Sequence, residues 1–366
     1  MTISDELLRG PRGRRLCLSV VVGADHAVRS AVFWLGHELD PNPGTIIRIG
    51  GEGADDVDDP TVTEAEVAAL IRRSDLTAPI SEEAVRDAMG ESVDHARYWQ
   101  HADGADLVAA LPQVREALRP VAERLVAAMP ELTAPFTTTQ WAVDWRPQSD
   151  SAPIERHPAA VLARWATEQH ENERRAIIDR PADPRAGASG TWWSVPGELL
   201  TTRAHVRDAL QYVEDSLGWD VATVIPVRGT GRVLEVGSAD DWAELCREYP
   251  MDVSASRRHD WFWVTGRDGR WIIPDWESVA QRWDAVHLTT LGYLSAATRL
   301  IEVDDDRATL IAGWAPDSTV WLTDVAREWE GPRQQWRRVE GGATWERDPK
   351  RPFGSEAAGD GSAAMS

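Results

Sequence analysis

Lysine is almost absent from this chain. Of 39 basic residues only Lys350 is lysine, and the rest are arginine. With no Gly-Lys-Ser/Thr there is no P-loop, and no internal lysine is placed to form a Schiff base. Cysteine is nearly as scarce. Cys17 and Cys246 alone exclude four-thiolate zinc sites, iron–sulfur clusters and a disulfide framework. Two thiols so far apart in sequence fit a reducing cytoplasm. No apolar run approaches the roughly 20 residues that a membrane helix needs. The nearest is Leu16-Cys17-Leu18-Ser19-Val20-Val21-Val22 after Arg12-Gly13-Arg14-Arg15. It is at the short limit for a secretory segment and runs into Asp25 and His26, so its valines read as a buried strand. Positive charge is outweighed as a whole: the net charge is −21, which argues against partners such as nucleic acid or an anionic membrane surface. The histidines make neither His-Glu-x-x-His nor an i,i+4 pair. His95 and His101, six apart, would point about 120° away from each other on a helix, so no metal site is expected. No Gly-x-Ser-x-Gly elbow is present either.

What remains is the composition of a folded protein, 42% hydrophobic and 27% charged. Val28, Ala31, Val32, Leu35 and Leu39 fall at helical spacing, ending before Pro41. A strand is expected at residues 45–49 between glycines, followed by the acidic run Asp55 to Asp59. That run lacks the glycine and terminal glutamate of a calcium loop and reads as solvated. Thr63-x-x-Glu66 is a capping box opening a helix to about Arg73. Helical segments follow at roughly 81–100 and 105–129, restarted at Pro112 and Pro120, then a β-prone stretch at 137–145 and a long amphipathic helix over 158–178. Arg180 to Gly190, rich in Pro, Gly and Ala, is the best linker in the chain. Beyond it the composition changes: 14 of the 19 tryptophans lie between Trp192 and Trp345. Strands are expected at 222–227, 232–236, 270–273, 285–289 and 319–323, with helices near 205–216, 239–248 and 275–282. Gly229-Thr230-Gly231 lacks the third glycine of a dinucleotide loop and reads as a hairpin turn. The fold class expected is α+β, in three parts. Residues 1–180 form a helix-rich domain with a small sheet. Residues 190–330 form a Trp-rich mixed domain, and 331–366 form a tail whose end, Gly354 to Ser366, is disordered.

Most of the tryptophans are expected to pack in the core, each needing one partner for its indole N–H. Arg257, Arg258 and His259 form a compact basic cluster. In so acidic a chain, that is where a small anionic ligand or an acidic partner segment would dock.

Read in order, the second half resembles a group of uncharacterised bacterial proteins and, more remotely, the ADP-ribosyltransferase fold of bacterial toxins. Trp193-Ser194 matches that fold's aromatic-Ser segment, Trp283-Asp284-Ala285-Val286 a later strand, and Asp317-Ser318-Thr319-Val320 the strand whose acidic residue carries catalysis. The match covers roughly residues 190–325. It has Asp where the fold usually has Glu, and it leaves the nicotinamide-site Arg or His unassigned beyond the candidates Arg146 and His157. The resemblance implies NAD as co-substrate, Asp317 and Ser194 as catalytic residues, and Trp193, Arg257, Arg258 and His259 as ligand-binding ones. Transfer of ADP-ribose passes through an oxocarbenium-like centre that a carboxylate stabilises. The alternative is a non-catalytic binding protein whose acidic N-terminal half is a partner surface.

Overall fold

A computed structural model of the chain describes residues 2–45, 59–74, 80–214, 218–339 and 344–348. The architecture is α+β. Among the described residues the chain opens with eight helices: α1 (Ile3–Arg9), α2 (Pro11–Ala24), α3 (His26–Leu39), α4 (Glu64–Arg73), α5 (Glu82–Asp94), α6 (Gly104–Ala110), α7 (Pro112–Ala117) and α8 (Arg119–Ala128). Strand β1 (Thr139–Asp144) and helix α9 (Pro158–Asp179) follow. The second half alternates β2 (Thr201–Arg203), α10 (Val206–Gln211), β3 (Val221–Gly229), β4 (Val233–Val236), α11 (Ala239–Glu248), β5 (Pro250–Asp252), α12 (Ser254–Thr265), β6 (Arg270–Pro274), α13 (Trp276–Val279), β7 (Ala285–Leu288), α14 (Thr290–Ala296), β8 (Ile301–Glu302), β9 (Arg307–Thr309), β10 (Ser318–Trp321), β11 (Ala326–Glu328), β12 (Gln334–Arg338) and β13 (Trp345–Arg347).

One sheet runs β13-β12-β3-β1-β2-β10-β7-β4, with β11 also pairing β3; among its described pairs, β4 with β7 is parallel and the others are antiparallel. A smaller sheet runs β5-β6-β9-β8. Strand β1, from before the 180–190 segment, lies between β2 and β3 from after it. The largest apolar cluster likewise joins Leu7, Leu16 and Val67 to Trp242, Leu288 and Val320.

Three sequence expectations are corrected. Residues 16–22 are not a strand but the middle of α2, which Pro11 opens and whose Leu16, Cys17, Leu18, Val20 and Val21 are all buried. Packed by α3, α5, α6 and α14, this helix buries even its polar stripe of Arg12, Arg15 and Ser19, and a short continuous apolar run does not separate a buried strand from a buried helix. Its arginines form a buried ion network. Arg12 pairs with Asp106, and Arg15 bonds Asp103 at 2.8 Å and Glu91 at 3.1 Å. Gly229-Thr230-Gly231 is not a hairpin turn. Both edges of β3 are taken by β1, β11 and β12, so the chain crosses the sheet and β4 pairs with β7. The tail begins later than Gly331, because β12 pairs with β3 from Gln334↔Val224 to Arg337↔Val221. Residues 46–49 of the strand expected at 45–49, residues 55–58 of the acidic run 55–59, and the end from Gly354 lie outside the described residues.

The capping box at Thr63 closes as expected, with Glu66 N–H donating to Thr63 Oγ1 and Glu66 Oε2 accepting from Thr63 N–H at 2.8 Å. Six of the 19 tryptophans, Trp242, Trp261, Trp271, Trp276, Trp314 and Trp321, are buried, and others such as Trp165, Trp283 and Trp336 pack half-buried against the core. Four of the buried six donate their indole N–H, to Thr309, Trp192 O, Ser194 O and Thr202.

Candidate active site

The residues singled out in the sequence are dispersed. Ser194 is fully buried, and its hydroxyl both accepts from Ala312 N–H (2.9 Å) and donates to Ala312 C=O (3.1 Å). Its own carbonyl takes the indole proton of Trp276. It clamps two backbone segments together in the interior. Trp193 is 43% exposed and stacks on Trp192 at 4.4 Å. Helix α12 turns its basic triplet onto different faces, as about 100° per residue requires. Arg257 is fully buried, with Nη2 donating to Gln169 Oε1 (2.6 Å) and Trp193 C=O (2.9 Å). Burial lowers its pKa to about 9, against the pull of Glu173 and Asp260. Arg258 reaches outward to Pro181 C=O. His259 is buried, and desolvation, then Arg180 and Arg258, lower its pKa. Arg146 pairs with Asp144, and His157 precedes α9.

Asp317 is placed differently. It precedes β10 at φ 50°, in the left-handed region, and is one of two non-glycine residues there among those described. Asp tolerates this conformation better than most residues, yet it costs of order 1 kcal/mol and is held by its surroundings. Its Oδ2 accepts from Ala204 N–H at 3.1 Å, just past the end of β2. Its Oδ1 lies 3.8 Å from Nε2 of His287, which is buried on β7, the neighbouring strand. Thr319, two residues along β10 and therefore on the same face, meets the other ring nitrogen at 3.0 Å. Among the described residues Nε2 has no hydrogen-bond partner. Burial lowers the His287 pKa, with Asp317 and Glu235 opposing, so the imidazole is neutral at neutral pH.

Arg203, at the end of β2 opposite Ser318, is buried and donates to Asp208 C=O at 2.8 Å. Desolvation lowers its pKa, and the carboxylates of Asp317 and Asp208 oppose this. Burial raises the pKa of Asp208, against His205 and Arg203. Asp317 and Asp208 face a cavity of about 330 Å³, between α5, α8, α10 and the start of α14, that Glu131, Tyr212, Arg86 and Thr290 also line. Behind Arg203, Glu214 is enclosed at its carboxyl: Oε1 accepts from Tyr98 (2.7 Å) and Tyr293 (2.8 Å), and among the described residues Oε2 has no partner. Burial pushes its pKa up to about 8, while the two phenols, Arg12 and Arg203 pull it down.

The cavity thus joins the carboxylate of Asp317, the carboxyl of Asp208, whose pKa burial raises, and the guanidinium of Arg86, while Arg203 and His287, both buried, adjoin Asp317 outside its lining. Arg203, Asp208 and His287 were not singled out in the sequence. The one signal was His287, a polar residue inside the otherwise apolar strand Ala285–Leu288. No group of three or more His, Cys, Asp or Glu able to hold a metal occurs among the described residues, nor does a helix long and apolar enough to cross a membrane. Comparison with family models, curated proteins and solved structures finds no match to this chain.

Proposed function

We propose that this cavity is the active site of a glycosyl-transfer enzyme that breaks the bond between an anomeric carbon and a cationic leaving group. NAD-dependent ADP-ribosyl transfer is the form to which the sequence resemblance points. Asp317 carries the reading: a carboxylate held in left-handed backbone, fixed by one N–H and open to a cavity beside a buried guanidinium. When the C–N bond of a nicotinamide riboside unit breaks, its electron pair stays with the ring nitrogen, and nicotinamide leaves neutral without a proton. The sugar is left oxocarbenium-like, and the negative charge of Asp317 stabilises it. An acceptor hydroxyl or water then bonds to the anomeric carbon and releases its proton to a carboxylate. Two carboxyl groups in unequal environments are the usual source of such acid and base roles. Asp208, whose burial favours the neutral form, is the acid for leaving groups that need one.

The lining suits the nicotinamide–ribose end of NAD, whose pyridinium is positive, since Glu82, Glu131, Asp208 and Asp317 surround it beside the Tyr212 ring. It suits the diphosphate poorly, because Arg86 is the only guanidinium among the described lining residues. Nicotinamide riboside, which lacks the diphosphate, is therefore the first substrate to test beside NAD. The same excess of carboxylates favours a second reading, in which the cavity binds a cation without turning it over. Incubation with each nicotinamide compound, with release of free nicotinamide measured, separates the two. Release supports the enzyme, saturable binding without release supports the binding protein, and absence of both overturns the site.

A further inference from the structure

A second cleft, of about 430 Å³, lies on the other side of α5 and α10, with two walls of different chemistry. One wall is indole. Trp145 and Trp219 stack at 4.7 Å and 12°, and Trp345 leans on Trp145 at 5.8 Å and 56°. All three are half-buried, so ring surface remains open to the cleft. The other wall is mainly carboxylate. Glu83, Asp87, Glu91 and Asp94 line it from α5, with His95 after that helix and Arg338 of β12 as the basic groups at the cleft, and the first three carboxylates, spaced by four, stand one above another on one face of the helix. Like charges at that spacing destabilise a helix by a few tenths of a kcal/mol per pair. Glu91 is relieved by Arg15 and Asp94 by Arg97, but among the described residues Glu83 and Asp87 have no ion-pair partner. Gly90, between Asp87 and Glu91, leaves the floor open, with the Gln211 side chain its nearest neighbour.

We infer that this cleft binds a small organic cation, an alkylated ammonium, held by the indole rings on one side and by Glu83 and Asp87 on the other. An ammonium carrying methyl groups meets both demands, because its charge is spread over apolar surface. It is attracted to the negative face of an aromatic ring and loses little hydration there, whereas a metal ion would lose its water shell against indole. The site is independent of the Asp317 cavity, so its occupation bears on neither reading given for that cavity.

The test uses the full chain with choline and with 3,3-dimethylbutan-1-ol, the same shape with carbon in place of the charged nitrogen. Indole N–H resonances are followed by NMR and assigned by replacing each tryptophan with Phe. Choline is expected to move the signals of Trp145, Trp219 and Trp345 saturably while the neutral alcohol does not. Asp87→Asn with Glu83→Gln should weaken choline about tenfold, the scale of one partly desolvated contact, and leave the melting temperature within a degree or so. Equal response to choline and the alcohol would make the cleft merely apolar and overturn the inference. So would shifts that ignore the carboxylate changes, or no shift at all.

Discussion

Replacing Glu214 with Gln should stabilise this protein at alkaline pH, although it removes a buried, doubly hydrogen-bonded side chain. The folded protein holds the Glu214 proton more tightly than the unfolded chain does, with the pKa rising from 4.5 to about 8. Burial is the dominant cause, and among the described residues Oε2 has no partner to offset it. The stabilisation that goes with a raised carboxyl pKa is complete below the unfolded value. It is lost as pH climbs through the folded one. Over that window the loss amounts to about 5 kcal/mol at most, at ~1.36 kcal/mol per pH unit. Gln keeps the acceptor that Tyr98 and Tyr293 use and never ionises. Urea unfolding of both proteins from pH 5 to 9 should show the variant gaining on wild type by several kcal/mol across the series, with the gain levelling off above about pH 8. A difference between the two proteins that stays flat with pH would refute the reasoning, because it would mean the carboxyl is solvated.

Arg257→Ala should lower stability by about 2–4 kcal/mol, since it leaves Gln169 and the Trp193 carbonyl unpaired around a void. Arg258→Ala on the outer face should change almost nothing, and thermal melts of both check this. Gly104→Ala should cost about 1–3 kcal/mol, because its Cβ would fall on the Gly36 backbone where α3 and α6 cross; a neutral result in a melt would mean the crossing yields. Protease cleavage within 180–190 should leave two fragments that co-elute on gel filtration, because β1 lies between β2 and β3. A C-terminal fragment eluting alone would show that it folds as a separate domain.

Where the sequence carried periodicity or punctuation, it foretold the elements well. Thr63 and Glu66 marked a helix start, Pro112 and Pro120 marked restarts, and β3, β4, β6, β7 and β10 fell where their apolar runs lay. It failed at α2, where the apolar run 16–22 reads equally as strand or helix and the polar Arg12, Arg15 and Ser19 are themselves buried, and at Gly229–Gly231, where glycines that looked like a local turn serve a crossing between distant strands. The site was legible only in Asp317. Ser194 looked like a ligand hydroxyl because nothing in the sequence shows Ala312 pairing with it from 118 positions away. The basic triplet looked compact because sequence adjacency hides the turn of a helix. Arg203, Asp208 and His287 are joined to Asp317 by sheet pairing and burial across residues 203–317, which no local spacing encodes.

Asp317→Asn tests the central proposal most directly. Asn occupies left-handed backbone as readily as Asp and can still accept the Ala204 N–H bond, so folding and ligand binding should be nearly unchanged. The charge is what it lacks, and charge is needed chiefly in the transition state. Nicotinamide release from nicotinamide riboside or NAD should therefore fall by roughly a hundredfold or more, with binding held within a few-fold. Release at the wild-type rate from a properly folded Asp317→Asn protein would contradict the account.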